Sequence, residues 1–135
     1  QVLDALARRL LDAPFDRDGA AAAAGTVAKA PMNALVKALR AQAGGGRSLG
    51  TGDELGGWLD RFAGTPPADL ARSACAAIAQ VATIAARPAD RLILAGGGVR
   101  NRALVEEFAH RAGVPVQISD ELGVPATLRE AMAMA

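Results

Sequence analysis

The chain has 135 residues, 51% of them hydrophobic and 21% charged, enough apolar material for one core and too much for a disordered segment. The 15 basic and 14 acidic residues leave a net charge of +1 and aromatics are only 3%, so neither the basic face nor the stacking surface of a nucleic-acid binder is expected. One Cys and one His exclude an intramolecular disulfide and argue against a His/Cys metal site.

Val2 to Leu11 places Leu3, Ala7, Leu10 and Leu11 on one helical face, with Arg8 and Arg9 off it. The chain starts without Met and already inside this helical pattern, so a fragment, or a mature chain whose first part is missing, is expected. Pro14 to Gly19 is turn chemistry, with Gly19 free to take positive φ, and Ala20 to Ala24 adds a short helical stretch ended by Gly25. Ala30 to Ala43 reads as a second helix, with Pro31 near its first turn and Leu35, Leu39 and Ala43 on one stripe; Gly44 to Gly46 stop it. Asp53 is a suitable N-cap for a helix carrying Leu55, Trp58, Leu59 and Phe62. Ala68 to Ala86 is the longest helix, with Leu70, Ala74, Ile78, Val81 and Ala85 on one face. Its many alanines imply close approach of a neighbour. This helix and the region around Trp58 are expected to offer apolar surface to a second subunit or to a missing lobe.

The last third changes character. Leu92 to Ala95 is a short apolar run of the kind found in buried parallel strands. Three glycines follow it, then a helix over Arg102 to Arg111 that Gly113 ends, a strand over Val114 to Ile118, and a final helix over Pro125 to Ala135. Strand, glycine turn, helix, strand is a βαβ unit, so the fold class is helix-rich α/β with a C-terminal βαβ unit. No signal peptide is visible and no run of about 18 residues lacks charge, so a cytoplasmic protein with no membrane partner is expected.

The sharpest local feature is Leu94-Ala95-Gly96-Gly97-Gly98-Val99-Arg100-Asn101. Glycines at the end of a strand let a ligand approach the backbone, and the next helix aims free N–H groups at the same place, as a nucleotide or phosphate requires. The alternative is a tight turn with no ligand, with Asn101 serving as an N-cap. It is not the dinucleotide fingerprint, because Asn101 stands at the third glycine position. Ala41 to Ser48 imitates a phosphate loop but lacks its first glycine and its lysine and follows a helix. Asp16 and Asp18 lack the remaining ligands of a calcium loop and read as a surface turn, and Asp120-Glu121 lies in the loop after the second strand. His110 suits the C-terminal end of a helix dipole, and Cys75 reads as a small buried apolar residue.

Taken together, these segments resemble the C-terminal part of the anhydro-N-acetylmuramic acid kinases, members of the actin-like (ribonuclease H-like) sugar kinase and ATPase superfamily. Leu3-Asp4-Ala5 looks like that family's "LIDA" helix start. Phe15-Asp16-Arg17-Asp18-Gly19-Ala20 with Ala23 and Gly25 looks like "YDRDG-x-x-A-x-x-G", allowing one residue of difference in spacing. Arg47-Ser48-Leu49-Gly50, Glu54 and Trp58-Leu59 are similar to "PKS-[TL]-G-x-E" and a later "WL", with Gly46 and Arg47 in place of Pro and Lys. Gly96 to Asn101 looks like "GGGARN", Asp120 to Pro125 like "DELGIP", and Arg129-Glu130-Ala131 stands where the family has "KEA".

The resemblance implies one part of a two-lobe enzyme that holds ATP in the cleft between actin-like lobes, with residues 1–135 as its C-terminal nucleotide-binding part. The implied reaction phosphorylates the 6-oxygen of 1,6-anhydro-N-acetylmuramic acid while water opens the anhydro ring. The product is N-acetylmuramate 6-phosphate, in bacterial cell-wall recycling. ATP and Mg²⁺ are the implied cofactors and a homodimer the implied assembly. Gly96, Gly97, Gly98 and Asn101 carry over as the adenosine-side segment. No catalytic residue carries over, because the phosphate loops and the aspartate base are expected N-terminal to this chain. The rival readings are another actin-like sugar kinase, a non-catalytic nucleotide-binding module, and an Ala-rich α/β domain whose glycines serve the turn alone.

Overall fold

The computed structural model describes residues 2–44, 53–119 and Gly123. The readings at Arg47 to Gly50, at Asp120 to Leu122, at Val124-Pro125, at Arg129 to Ala131 and of the final helix lie outside these residues, as do the side chains of Asp53 and Glu54. The elements in order are α1 (Val2–Leu10), α2 (Ala20–Ala24), α3 (Lys29–Gly44), α4 (Asp53–Arg61), α5 (Pro67–Ala85), β1 (Leu92–Leu94), α6 (Arg102–Arg111) and β2 (Val116–Ile118). A 3₁₀ turn over Arg17–Gly19 precedes α2, and another over Gly97–Arg100 lies between β1 and α6. The chain is therefore a helix-rich α/β structure with a small parallel sheet.

The core is organised around α5. Leu70, Ala71, Ser73, Ala74, Cys75, Ala76, Ala77 and Ala79 are all buried along it. One half-core gathers Leu6 of α1, Met32, Leu35, Val36 and Leu39 of α3 and Leu55, Trp58 and Leu59 of α4 against α5. The other gathers Ala22 of α2 and Ala103, Leu104 and Phe108 of α6 on its opposite side, with Leu92, Leu94 and Val116 of the sheet packed against them. Small side chains on α5 let neighbours approach closely from several directions.

This corrects one expectation. The long helix does not bury a single stripe: Ala71, Cys75 and Ala79 are buried along with Leu70 and Ala74, while Ala85 is exposed. Helices α2, α3 and α6 pack against it, while Ile84 near its C-terminal end stays 37% exposed. Trp58 is only 5% exposed, and its indole Nε1 donates to the Pro31 carbonyl at 2.8 Å, tying α4 to the start of α3. A buried indole needs such an acceptor.

The sheet differs from expectation as well. β1 and β2 pair in parallel with Leu92 opposite Val116, Ile93 opposite Gln117 and Leu94 opposite Ile118. Leu92 and Leu94 turn toward the helices, but Ile93 on the other face is 37% exposed, so β1 is half-buried rather than buried on both faces. Alternation along a strand sends successive side chains to opposite faces, and only one face is covered.

A charged cluster joins α5 to α6. Glu107 is buried, accepting from Arg72 Nε at 2.8 Å and Arg111 Nε at 2.9 Å, while Arg72 Nη1 reaches Glu106 at 3.1 Å. Burial alone would lower the Arg72 pKa, but hydrogen bonds and charge from Glu107 and Glu106 outweigh it and raise the value.

Candidate nucleotide site

Local sequence sets the turn after β1. Gly96 adopts φ +86, ψ −178, a backbone conformation that only glycine enters readily. The chain then makes the 3₁₀ turn Gly97–Arg100, closed by Val99 N–H to the Gly96 carbonyl (3.3 Å) and Asn101 N–H to the Gly98 carbonyl (3.1 Å). Asn101 is the N-cap of α6, its Oδ1 accepting from Leu104 N–H at 3.0 Å. Helix α6 therefore does not follow the glycines directly, and one of its free N–H groups is already satisfied. This is the Asn101 cap that the sequence offered, and it occupies one of the free N–H groups at the helix end.

The three glycines differ in role. Gly96 is required by its φ. Gly98 would place a Cβ in ordinary contact with Leu104 Cδ2 at 3.4 Å. At Gly97 a Cβ would meet nothing within 4 Å, so no packing demand of the described protein explains a glycine there.

A second turn packs against this one. Asp16 Oδ1 and Oδ2 accept from the N–H groups of Ala21 (2.9 Å) and Ala22 (3.0 Å), which holds the five-alanine α2 in place. So short a helix would not form alone. Asp18 and Gly19 both take left-handed conformations, φ +56 and +70. A Cβ on Gly19 would collide with Asn101 Oδ1 and approach Arg102 N to 3.0 Å. The Asp16–Gly19 turn and the Gly97–Asn101 turn are thus locked together through Gly19 and Asn101, residues more than 80 positions apart by numbering.

Between them opens a cleft of about 1030 Å³. Gly97, Gly98, Arg100 and Asn101 form one wall, and Phe15 to Asp18 another. Val2, Leu3 and Asp4 at the start of α1, with Leu39, Ile78, Val81, Ala82 and Leu104, complete it. That volume matches the upper range of small-molecule sites, roughly 300–1,000 Å³. The mixture of apolar floor and a few polar groups is also what such sites show. Among the described residues no three His, Cys, Asp or Glu side chains converge as a metal site would require, and no helix is long and apolar enough to cross a membrane.

The structure thus brings Gly97, Gly98 and Asn101 to one cleft, with Gly96 at the turn that leads into it. Phe15, Arg17, Asp18 and Arg100 also reach it, and composition or spacing did not single them out as ligand contacts. Their only sequence signal was the motif likeness of the Phe15–Gly19 and Gly96–Asn101 segments. His110 is exposed in the last turn of α6, where its position suits the dipole. Cys75 is wholly buried, and burial pushes its thiol up to about 12.

The family model for anhydro-N-acetylmuramic acid kinase matches residues 1–135. The chain belongs to the anhydro-N-acetylmuramic acid kinase family. Curated relatives agree. Over 136 residues the chain is 36% identical to the anhydro-N-acetylmuramic acid kinase of Cupriavidus pinatubonensis, covering 93% of this chain and 36% of that protein. It is 33% identical over 145 residues to the Bordetella parapertussis kinase, covering 99% of this chain and 38% of that one. It is likewise 33% identical over 151 residues to the Salinibacter ruber kinase, covering 99% and 37%. The chain therefore spans little more than a third of the length of these relatives. Both turns that wall the cleft fall inside the family match.

Proposed function

We propose that this chain is the C-terminal, nucleotide-binding part of an anhydro-N-acetylmuramic acid kinase with two actin-like lobes. In this reading the complete enzyme uses ATP to phosphorylate the 6-oxygen of 1,6-anhydro-N-acetylmuramic acid. Water opens the anhydro ring in the same reaction, giving N-acetylmuramate 6-phosphate for peptidoglycan recycling in the cytoplasm. Phosphoryl transfer needs in-line placement and charge stabilisation more than covalent chemistry. The aspartate base, the phosphate loops and the carboxylates that would hold Mg²⁺ belong to the part N-terminal to this chain. Gly96, Gly97, Gly98 and Asn101 supply the adenosine side of the cleft, and the complete protein is a homodimer.

One observation carries the nucleotide assignment. A ligand-free turn needs glycine at 96, where φ is +86, but gives no reason for glycine at 97. A ligand lying against the backbone does give one, because any side chain at 97 would project into the space the ligand occupies. The residues present also fit the cofactor: Asn101 holds the glycine turn at the head of α6, and the cleft volume suits a nucleotide.

The test is Gly97→Val in the complete protein. ATP affinity should fall more than about tenfold, or ~1.4 kcal/mol. Unchanged affinity in a folded variant removes this turn from the site. A companion assay asks whether residues 1–135 alone release ADP when given ATP and the anhydro sugar. None is expected, with activity present in the complete protein. Turnover by the fragment would move the chemistry to its own carboxylates, Asp16, Asp18 and Asp120 first. Retained ATP binding without transfer in the complete protein would favour a non-catalytic module.

A further inference from the structure

The wall formed by Phe15 to Asp18 has features that its own folding does not use. Phe15 is 50% exposed, more than Ile84 or Ile93, and it lines the open cleft. An aromatic ring left half-open beside a cavity is a packing surface without its partner. Asp16 is committed to the N–H groups of Ala21 and Ala22. Asp18 has no hydrogen-bond or ion-pair partner among the described residues, and it sits at φ +56, a left-handed position that side chains rarely adopt. The turn packs closely against the start of α6, since a Cβ on Gly19 would collide with Asn101 and approach the Arg102 amide. Phe15 and Asp18 line the same cleft as Gly97.

Charge decides which part of a nucleotide this wall would accept. Asp16-Arg17-Asp18 is net negative, and an unpaired Asp18 carboxylate repels a phosphate chain. A nucleoside is uncharged, with a flat base for the ring and hydroxyl donors for the carboxylate. We propose that the nucleoside lies between the two turns, the Phe15 ring packing against the base and Asp18 accepting a hydrogen bond from a ribose hydroxyl. This rests on the nucleotide reading of the cleft and assigns its second wall.

The experiment measures binding of ADP and of 2′,3′-dideoxy-ADP to the complete protein by calorimetry, with melting curves as a fold check. Phe15→Ala should weaken ADP about tenfold, in line with what stacked bases lose. Phe15→Tyr should bind ADP as the native protein does. The native protein should prefer ADP to the dideoxy form by roughly three- to tenfold, the usual worth of a hydrogen bond. Asp18→Gly keeps the left-handed backbone, and it should erase that preference with little change in melting. If Gly97→Val loses ADP while Phe15→Ala and Asp18→Gly bind both ligands as the native protein does, the second wall is wrong and the nucleotide site stands. If the native protein binds no ADP, the nucleotide reading falls and this inference falls with it. Native-like preference in Asp18→Gly, or none in the native protein, overturns the ribose contact.

Discussion

Gly25→Ala should be among the most damaging small substitutions in this chain, and its cost follows from distances. Gly25 closes α2 at φ −94, ψ 172, ordinary extended backbone that alanine adopts without strain. The obstacle is space. A Cβ there would collide with the Ala68 carbonyl and stand 2.8 Å from the Asp69 nitrogen, where ordinary contacts lie at 3.4–4 Å. These are backbone atoms in the first turn of α5, so no rotamer change relieves the clash. The chain after Gly25 has to withdraw. That stretches Thr26 N–H to Asp69 Oδ1 and Ala28 N–H to Ser73 Oγ, both 2.9 Å. Overpacking alone costs about 1–3 kcal/mol. A weakened hydrogen bond to the Asp69 carboxylate, exposed and so at the low end, adds roughly 1 kcal/mol. The total is about 2–4 kcal/mol.

Gly57→Ala is the matched control. Gly57 lies exposed inside α4 with nothing within 4 Å of its would-be Cβ. Replacing a helix-interior glycine by alanine there should stabilise by about 0.8–1 kcal/mol. The same chemical change thus acts with opposite sign at two positions. Thermal or urea denaturation of the two variants beside the native protein reads both. A Gly25→Ala protein that melts with or above the native one would refute the close approach of residue 25 to α5.

Three further outcomes are expected. Asn101→Ala should destabilise by about 1–2 kcal/mol through loss of the α6 cap, seen as a lower denaturation midpoint; an unchanged midpoint would show that the cap is not needed. Glu107→Gln leaves Arg72 and Arg111, whose side chains are 18% and 24% exposed, without their shared carboxylate. The cost should sit somewhat below the ~3–5 kcal/mol of a fully buried pair, and a loss under about 0.5 kcal/mol would contradict the clamp. Cys75, pushed up to about 12 by burial, should stay a protonated thiol and resist a disulfide reagent in the native state from pH 7 to 9. Denaturation should release it at once, and rapid native labelling that speeds with pH would show that the thiol is accessible.

Much of the local chemistry was legible. The bounds of α6 follow from Asn101 before it and Gly113 after it, and the structure has that helix at Arg102–Arg111 with Gly113 at φ +66. Gly19 takes the positive φ its turn implied, and the order of motifs along the chain was enough to identify the family. These are effects of residues within a few positions of one another, or of a pattern read in order.

Tertiary structure decided the rest. The alanines of α5 implied a close neighbour but not that helices would pack on more than one of its faces, because small side chains suit a half-buried helix as well as a central one. Asp16 looked like a surface turn until its carboxylate was found under the N–H groups of α2. The glycines make the point most sharply. In sequence Gly25, Gly57 and Gly97 are the same letter, yet one is crowded by a helix some 40 positions away, one stands in solvent and one faces a cleft. Which of these a glycine meets depends on what the fold carries next to it, and that proximity is a property of packed helices, not of neighbours along the chain.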